Sequence, residues 1–251
     1  MHKICDSDKL IDAARDYKYL LTRGYPANAS LNLVTSRYLL NEKERLLLYR
    51  CIHSAQYVDE INNKFLCYEI RDHILLIDFY NVLISTVNMV KGGDVYLCDD
   101  CIPRDLRGSK LRKDDYSYLQ ASFKIISKVI ELLKPKLVVA IVDKNVSYSI
   151  EHADMLKLEL RNHGIDCTYE LTLTPDSRII QYSKNFEHNV VASSDSFIML
   201  HSVGILPLTT YIMLFLGIKP QLDFASVFNS SCNNCLDEIV KAMDKNYKRN
   251  P

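Results

Sequence analysis

Four strand-like apolar segments in this sequence are each followed closely by an aspartate. The four are Asp78, Asp143, Asp176 and Asp195. Ligands of open parallel sheets bind beyond the carboxyl ends of the strands, so these side chains are expected to face one site. Carboxylates gathered at one edge repel one another unless a cation neutralises them, and oxygen ligands suit Mg²⁺ or Mn²⁺ better than zinc. The partner that such a metal commonly holds is a phosphate.

A helix cap is the simpler explanation for any single aspartate of this set, because Asp is a favoured N-cap residue. Four of them in one predicted sheet are harder to explain in that way. Asn81 stands three residues after Asp78, one turn into the next predicted helix, where its amide is placed toward the same site. The alternative for Asn81 is a cap on local backbone. The predicted catalytic residues are Asp78, Asn81, Asp143, Asp176 and Asp195.

The elements that must position these residues alternate between strands and helices from residue 71 to residue 251. Strands are predicted over 74–79, 95–97, 137–142, 166–172, 190–193 and 204–208, and helices end near 90, 134, 163 and 185, with two more after residues 195 and 208. Strands that are apolar on both faces indicate a parallel sheet covered on both sides. The predicted fold class of this part is therefore α/β.

Residues 1–70 are predicted to form a separate, small, all-helical module. Its three helices run from Ser7 to Gly24, from Ala29 to Leu39, and from Asn41, with Glu44 in the capping-box position, to His53. Such a triplet is typical of plain helix packing, and a helix-turn-helix DNA-binding module is the alternative. The predicted domain boundary lies near residue 70.

The overall composition argues against bulk attraction of a nucleic acid and against two common phosphate-binding loops. The chain has 31 basic and 31 acidic side chains, and its net charge of zero provides no bulk field to attract a polyanion. It contains 7 glycines, and no segment fits the glycine loop of dinucleotide-binding folds or the P-loop. Phosphate binding, if present, must therefore use metal and side chains.

Positive charge is concentrated locally in residues 104–113, between a predicted strand and a long helix. One interpretation is a solvated loop, and the other is a flexible cover whose cations contact the phosphates of a single strand. The predicted substrate-binding residues are Arg104, Arg107, Lys110, Arg112 and, from another loop, Lys144. Base stacking is a possible role for Tyr116, Tyr118 and Tyr148.

Two C-x-x-C pairs are the main feature of the 8 cysteines. The pairs are Cys98 with Cys101 and Cys232 with Cys235. Together they offer four thiolates to a structural zinc ion, although a disulfide or free thiols fit the spacing equally well. A redox-regulated or zinc-regulated protein is therefore a third functional hypothesis.

The N-terminus lacks the apolar core of a signal peptide, which leads us to expect a cytoplasmic protein. The uncharged run 202–218 contains Gly204 and Pro207 and is shorter than a membrane span, so no membrane partner is expected.

Three segments resemble the PIN-like superfamily, especially its NYN branch and the Regnase endoribonucleases. They are Asp78-x-x-Asn81-Val82 at a strand end, 175–180 opening a helix, and 191–196. The resemblance implies a three-layer α/β/α domain that holds Mg²⁺ or Mn²⁺. Its metal positions match Asp78, Asp176 and Asp195, whereas Asp143 is added only from its strand-end position.

Nearly the whole chain also resembles DUF434, a prokaryotic family common in archaea. The segments that carry this likeness are 20–26, 45–50, 99–105, 142–149 and 193–195.

The function expected from these features is a metal-dependent phosphodiester hydrolase, with single-stranded RNA as the favoured substrate. The alternative is a non-catalytic RNA-binding or ribosome-binding protein that keeps the PIN-like fold. Carboxylates that converge favour the enzyme, and carboxylates paired with Arg or Lys favour the scaffold.

Overall fold

The computed structural model describes residues 7–67, 70–108 and 110–230. Its helices are α1 (Ser7–Thr22), α2 (Ala27–Arg37), α3 (Glu42–Cys51), α4 (Ala55–Asn63), α5 (Phe79–Val90), α6 (Leu119–Leu133), α7 (Ser149–Asn162), α8 (Pro175–Asn185), α9 (Ser196–His201), α10 (Leu208–Phe215) and α11 (Phe224–Val227). Its strands are β1 (Ile74–Asp78), β2 (Tyr96–Leu97), β3 (Pro103–Arg104), β4 (Leu137–Asp143), β5 (Cys167–Thr172), β6 (Asn189–Ala192) and β7 (Leu222–Asp223).

The main sheet has four parallel strands in the order β5-β4-β1-β6. Asp78 pairs with Ile141, and Ile77 pairs with Ala192, so β1, β4 and β6 end at one edge. The predicted mixed α/β fold with a parallel sheet is confirmed. Its register brings the residues that follow these strands together at the carboxyl edge.

Helices cover both faces of this sheet. Leu75 and Ile77 of β1 point into the larger core, which includes residues of α5, α6 and α7. Leu76, between them, points into a second core with Ile179 of α8 and Ile198 of α9. Successive strand residues face opposite sides, so burial on both sides accounts for the unbroken apolar runs.

The N-terminal module contains four helices, and its core includes Leu10 and Leu47. The capping box that begins α3 is present as predicted: Glu44 N donates to Asn41 Oδ1 at 3.0 Å, and Asn41 N donates to Glu44 Oε2 at 2.9 Å. Sequence patterns did not predict α4, which Ser54 caps through a bond from Tyr57 N.

A second sheet, of order β3-β2-β7, joins the helical module to the α/β body. The strand predicted at 95–97 lies in this sheet and not in the main one. Tyr96 and Cys98 pack into the same core as Leu10 and Leu47. The loop after β2 is thereby held against the helical module.

Two further expectations need correction. The strand predicted at 204–208 is reduced to isolated bridges from Ile205 to Phe65 and Val191. The helix predicted to begin at Asp115 starts as a 3-10 turn, Lys113–Tyr118, before α6. None of the helices in the described part of the chain combines the length and the apolar character needed to span a bilayer.

Candidate metal site at the carboxyl edge of the sheet

The five predicted catalytic residues border one cleft of about 920 Å³. One wall is the carboxyl edge of the sheet, which contributes Asp78, Asn81, Asp143, Asp176 and Asp195. The opposite wall comes partly from the helical module and includes Tyr25, Tyr49, Arg50, His53 and Tyr57. Residues from both parts of the chain therefore share one cavity.

Asp78 lies deepest among the four aspartates. It stands at the N-cap position of α5 but makes no capping hydrogen bond. Ser193 Oγ donates to its Oδ2 at 2.7 Å instead. Burial, together with the nearby charges of Asp176 and Asp195, raises the pKa of Asp78 to about 7 although the Ser193 bond opposes this.

Asp176 is exposed at the second position of α8. Partial desolvation, together with the charges of Asp195 and Asp143, raises the pKa of Asp176. The charge of Asp176 therefore acts on Asp78, and the charges of Asp143 and Asp195 act on Asp176.

Asp143 and Asp195 also have local roles. Asp143 Oδ1 accepts from Asn145 N at 2.8 Å. Asp195 caps α9, its Oδ1 accepting from Phe197 N at 2.8 Å and Ile198 N at 3.1 Å. The helix-cap explanation is thus correct for Asp195. Both local roles use Oδ1, which leaves Oδ2 on each carboxylate.

Asn81 does not cap its own helix. Its Oδ1 accepts from Ser194 N at 2.8 Å and from Ser194 Oγ at 2.7 Å. Ser193 Oγ, which donates to Asp78, also accepts from Asp195 N at 3.0 Å. Asn81 and Ser193 thus fix the turn that carries Asp195. Ser193 was not among the predicted site residues, although it lies two residues before Asp195.

Within the described ranges, no Arg, Lys or His forms an ion pair with any of the four aspartates. In the same ranges, no three of these aspartates have carboxylate oxygens within 4.8 Å of one another. The group that meets this distance is His53, Asp99 and Asp100. The four carboxylates share a cleft without forming a closed set of ligands. Their mutual repulsion favours this separation, and a divalent cation would oppose it.

The His53, Asp99 and Asp100 group is a network of ion pairs. Lys18 Nζ lies 2.6 Å from Asp99 Oδ2, and Arg104 holds both oxygens of Asp100 at 2.8 and 2.7 Å. Burial tends to raise the pKa of Asp100, but Arg104 and His53 outweigh it and hold that pKa below its usual value. Lys18 and Arg104 therefore already neutralise the carboxylates of Asp99 and Asp100.

Arg104 was predicted to contact substrate; it borders the cleft, and its guanidinium is also engaged by protein partners. It is buried in β3, bound to Asp100, and its Nε donates to the carbonyl oxygen of Ser194 at 3.1 Å. A guanidinium with these partners is held in place and neutralised. Arg104 therefore positions the turn before Asp195.

The basic segment is tethered at Arg107, which pairs through both terminal nitrogens with buried Asp115. Lys91 Nζ also lies 2.8 Å from Asp115, and these cations hold the pKa of Asp115 well below its usual value despite burial. Arg50, which sequence reasoning missed, donates to the carbonyl oxygens of Asp105 and Arg107 at 2.6 and 3.1 Å. These bonds fix the segment to its neighbours on both sides.

The other predicted substrate-binding cations, Lys110, Arg112 and Lys144, are exposed and do not line the cleft. Tyr116 and Tyr148 are exposed as well, with ring centroids 6.4 Å apart in an edge-on arrangement. Tyr118 lies beneath Lys91, whose Nζ is 5.6 Å from the ring centroid. These groups are accessible, but they stand outside the cavity of the aspartates.

The first C-x-x-C pair does not present two thiolates. Cys98 is buried with a free thiol, and Cys101 is disulfide-bonded. A sulfur in a disulfide is not a zinc ligand. The second predicted pair, Cys232 and Cys235, lies outside the described residues.

Comparison with known proteins identifies two sequence families in this chain. Residues 67–211 match the family described as Domain of unknown function (DUF5616). The chain belongs to this family. Residues 9–64 match a second, Protein of unknown function (DUF434), so the likeness to DUF434 is confirmed for the helical module. All five predicted catalytic residues fall within the DUF5616 segment, and His53 falls within the DUF434 segment.

One curated protein is similar to most of the chain. The chain is 32% identical over 200 residues to the uncharacterized protein MJ0935 of Methanocaldococcus jannaschii. The aligned region covers 74% of this chain and 87% of the relative. No solved structure matches the chain.

Proposed function

We propose that this DUF5616 protein is a metal-dependent phosphodiester hydrolase of PIN/NYN-like type that cleaves RNA. The observation that carries the proposal is a buried Asp78 that shares an open cleft with three other carboxylates, with no cation paired to any of them in the described ranges. Such a cluster is unfavourable by itself, because like charges raise one another's pKa. A divalent cation is the partner that turns this arrangement into a favourable one.

The donor atoms fit Mg²⁺ or Mn²⁺. Asp78, Asp176 and Asp195 offer carboxylate oxygens, and Asp143 offers one more from β4. Two of these side chains are exposed and one is half-buried, which leaves room for water as well as for protein ligands. When bound, the metal would activate water and neutralise the charge of a phosphodiester.

The chain's own residues supply orientation. Ser193 and Asn81 fix Asp78 and Asp195 relative to each other through the turn after β6. Arg104 holds that turn from the other side. Fixing Asp78 and Asp195 in this way suits in-line attack on phosphorus, which depends mainly on positioning and charge.

The opposite wall of the cleft supports single-stranded RNA as the substrate. Tyr25 and Tyr49 are 56% and 55% exposed, and both border the cavity. Phe197 borders it next to Asp195 and is also exposed. Exposed aromatic rings around a charged cleft are typical of surfaces on which unpaired bases stack.

The non-catalytic alternative predicts carboxylates paired with Arg or Lys. In the described part of the chain such pairing is found at Asp99, Asp100 and Asp115, and not at the four strand-end aspartates. The lack of paired cations favours the enzyme, whereas the separation of the four carboxylates, no three of which lie within 4.8 Å in the described residues, means that the metal would have to draw them together.

Asp195→Asn tests the proposal without disturbing the fold. Asn is also a good N-cap, so α9 should be retained, while one charged metal ligand is lost. Cleavage of single-stranded RNA with Mn²⁺ or Mg²⁺ should fall by about 10³-fold or more and should stop in EDTA.

The matched control is Asp166→Asn. Asp166 is exposed and lies before β5 at the opposite edge of the same sheet, so this variant should cleave RNA at the wild-type rate. Equal activity in wild type and Asp195→Asn, or inactivity of folded wild-type protein on varied RNAs, would contradict the proposed function.

A further inference from the structure

We propose that His53, supplied by the helical module, is the proton donor to the leaving oxygen of the phosphodiester. This inference rests on the proposed function and adds a catalytic residue to it. It also gives the DUF434 segment a chemical role, because His53 lies in that segment and the aspartates do not.

The ring of His53 is held in one orientation. Its Nδ1 lies 2.7 Å from Oδ1 of Asp99, and its backbone N donates to Oδ2 of the same carboxylate at 2.9 Å. Asp99 is completely buried, and Lys18 Nζ completes its shell at 2.6 Å. A carboxylate bound to Nδ1 leaves Nε2 as the outward-facing nitrogen, as in Asp-His pairs of known enzymes.

The outward-facing nitrogen lies beside the residue that follows Asp195. His53 borders the cleft, and its Nε2 lies 3.5 Å from Ser196 Oγ. Ser196 directly follows Asp195, a predicted metal ligand. The ring also stacks on Tyr57, with centroids 4.5 Å apart, which resists rotation away from the site.

Charged groups of both signs lie around the ring of His53. Asp99 contacts the ring directly, and Asp100 Oδ2 lies 3.9 Å from Nδ1. Lys18 and Arg104 bind these two carboxylates, and Tyr57 covers one face of the ring. Two anions and two cations thus surround the imidazole, and Nε2 is the ring nitrogen that borders the cavity.

The proposed step balances as a hydrolysis. The oxygen of a water forms a bond to phosphorus, the bond from phosphorus to the leaving oxygen breaks, and that oxygen takes the proton from Nε2. The attacking water releases its own proton to solvent, and His53 regains one from solvent afterwards. The products are an alcohol and a phosphate monoester. Asp99 acts through His53 and is a positioning residue.

A proton donor is needed only when the leaving group is a poor one, so the test compares two substrates. The leaving group of RNA is a ribose alkoxide, which needs a proton. The leaving group of a nucleotide p-nitrophenyl ester is p-nitrophenolate, which is stable without one. His53→Gln should slow RNA cleavage by about 10²-fold or more and slow the ester by less than about 5-fold. The matched control is His163→Gln, because His163 also pairs with a carboxylate through Nδ1, at 3.2 Å from Glu131, but does not line the cleft.

Three results would overturn the role of His53 while the proposed function stands. In the first, wild type cleaves both substrates and His53→Gln loses the same factor in rate on each, which indicates a structural role. The second is no loss on either substrate. The third is a fall of about 10-fold or more in the affinity of His53→Gln for Mn²⁺, which would make Nε2 a metal ligand. If folded wild-type protein cleaves neither substrate, the proposed function fails and the role of His53 fails with it.

Discussion

Asp78→Asn is expected to make the metal-free protein more stable at pH 8 while lowering RNA cleavage by about 10³-fold or more. Both effects have one cause. Asp78 is buried among carboxylates, and its pKa is raised to about 7 from an ordinary value of 3.8. The folded state therefore binds a proton at Asp78 more tightly than the unfolded state does.

The sign of the pH dependence follows from this shift. Below about pH 4 the Asp78 carboxyl is protonated in both states and costs nothing. Between about pH 4 and pH 7 the free energy of unfolding falls, and above pH 7 the full cost remains, on the order of 4 kcal/mol. An amide carries no charge, and its oxygen still accepts the bond from Ser193 Oγ, so Asp78→Asn escapes this cost.

Urea unfolding in EDTA at pH 5 and pH 8 measures the effect. The excess stability of Asp78→Asn over wild type should be about 1–2 kcal/mol at pH 5 and should rise to about 4 kcal/mol at pH 8. Mn²⁺ should then stabilise wild type more than the variant, because the variant has lost a ligand. A stability difference that is equal at both pH values would contradict the electrostatic cause.

Arg104→Ala is expected to destabilise the protein by about 3–5 kcal/mol, because it leaves Asp100 buried without its partner. Asp100 has no exposed surface, and Arg104 binds both of its oxygens. The substitution also releases the carbonyl oxygen of Ser194 and the turn that leads to Asp195.

Arg112→Ala is the matched control, because Arg112 is an exposed arginine of the same basic segment. This substitution should lower the free energy of unfolding by less than about 0.5 kcal/mol. Urea denaturation midpoints of both variants at pH 7 provide the comparison. If Arg104→Ala keeps wild-type stability and only raises the KM for RNA, Arg104 contacts substrate, as its place in a basic segment first suggested.

The main sheet was predictable because its strands have clear patterns. The runs that end at Asp78 and Asp143 are apolar on both faces, and parallel pairing brings their carboxyl ends to one edge. Local rules were equally informative at Asn41 and Glu44, where the capping box needs only a spacing of three residues. Strong local signals thus identified the elements that carry the site.

The other wall of the cleft depends on contacts between distant residues. His53 and Asp99 are 46 residues apart, and Lys18 and Asp99 are 81 apart, so no local pattern links them. The strands β2 and β3 have two residues each, too few to show alternation. The basic composition around Arg104 suggested exposure, whereas the short hairpin buries its side chain against Asp100.

The packing of the helical module against the α/β body unites two sequence families in one cavity. Residues 9–64 supply His53 and Arg50, and residues 67–211 supply the aspartates. The small sheet that contains β2 and β3 places Asp99 and Asp100 between the two parts. The helical module is therefore part of the candidate site, and its removal would expose one side of the cleft.

Calorimetric titration of Mn²⁺ tests most directly whether the strand-end aspartates hold a divalent metal. Asp176 is exposed, so Asp176→Asn should leave the fold intact, and Asp166→Asn provides a control from the other edge of the sheet. Wild type and Asp166→Asn should bind Mn²⁺ with equal affinity, and Asp176→Asn should bind it at least about 10-fold more weakly. Equal affinity in all three proteins, or no binding by wild type, would contradict the proposed metal site.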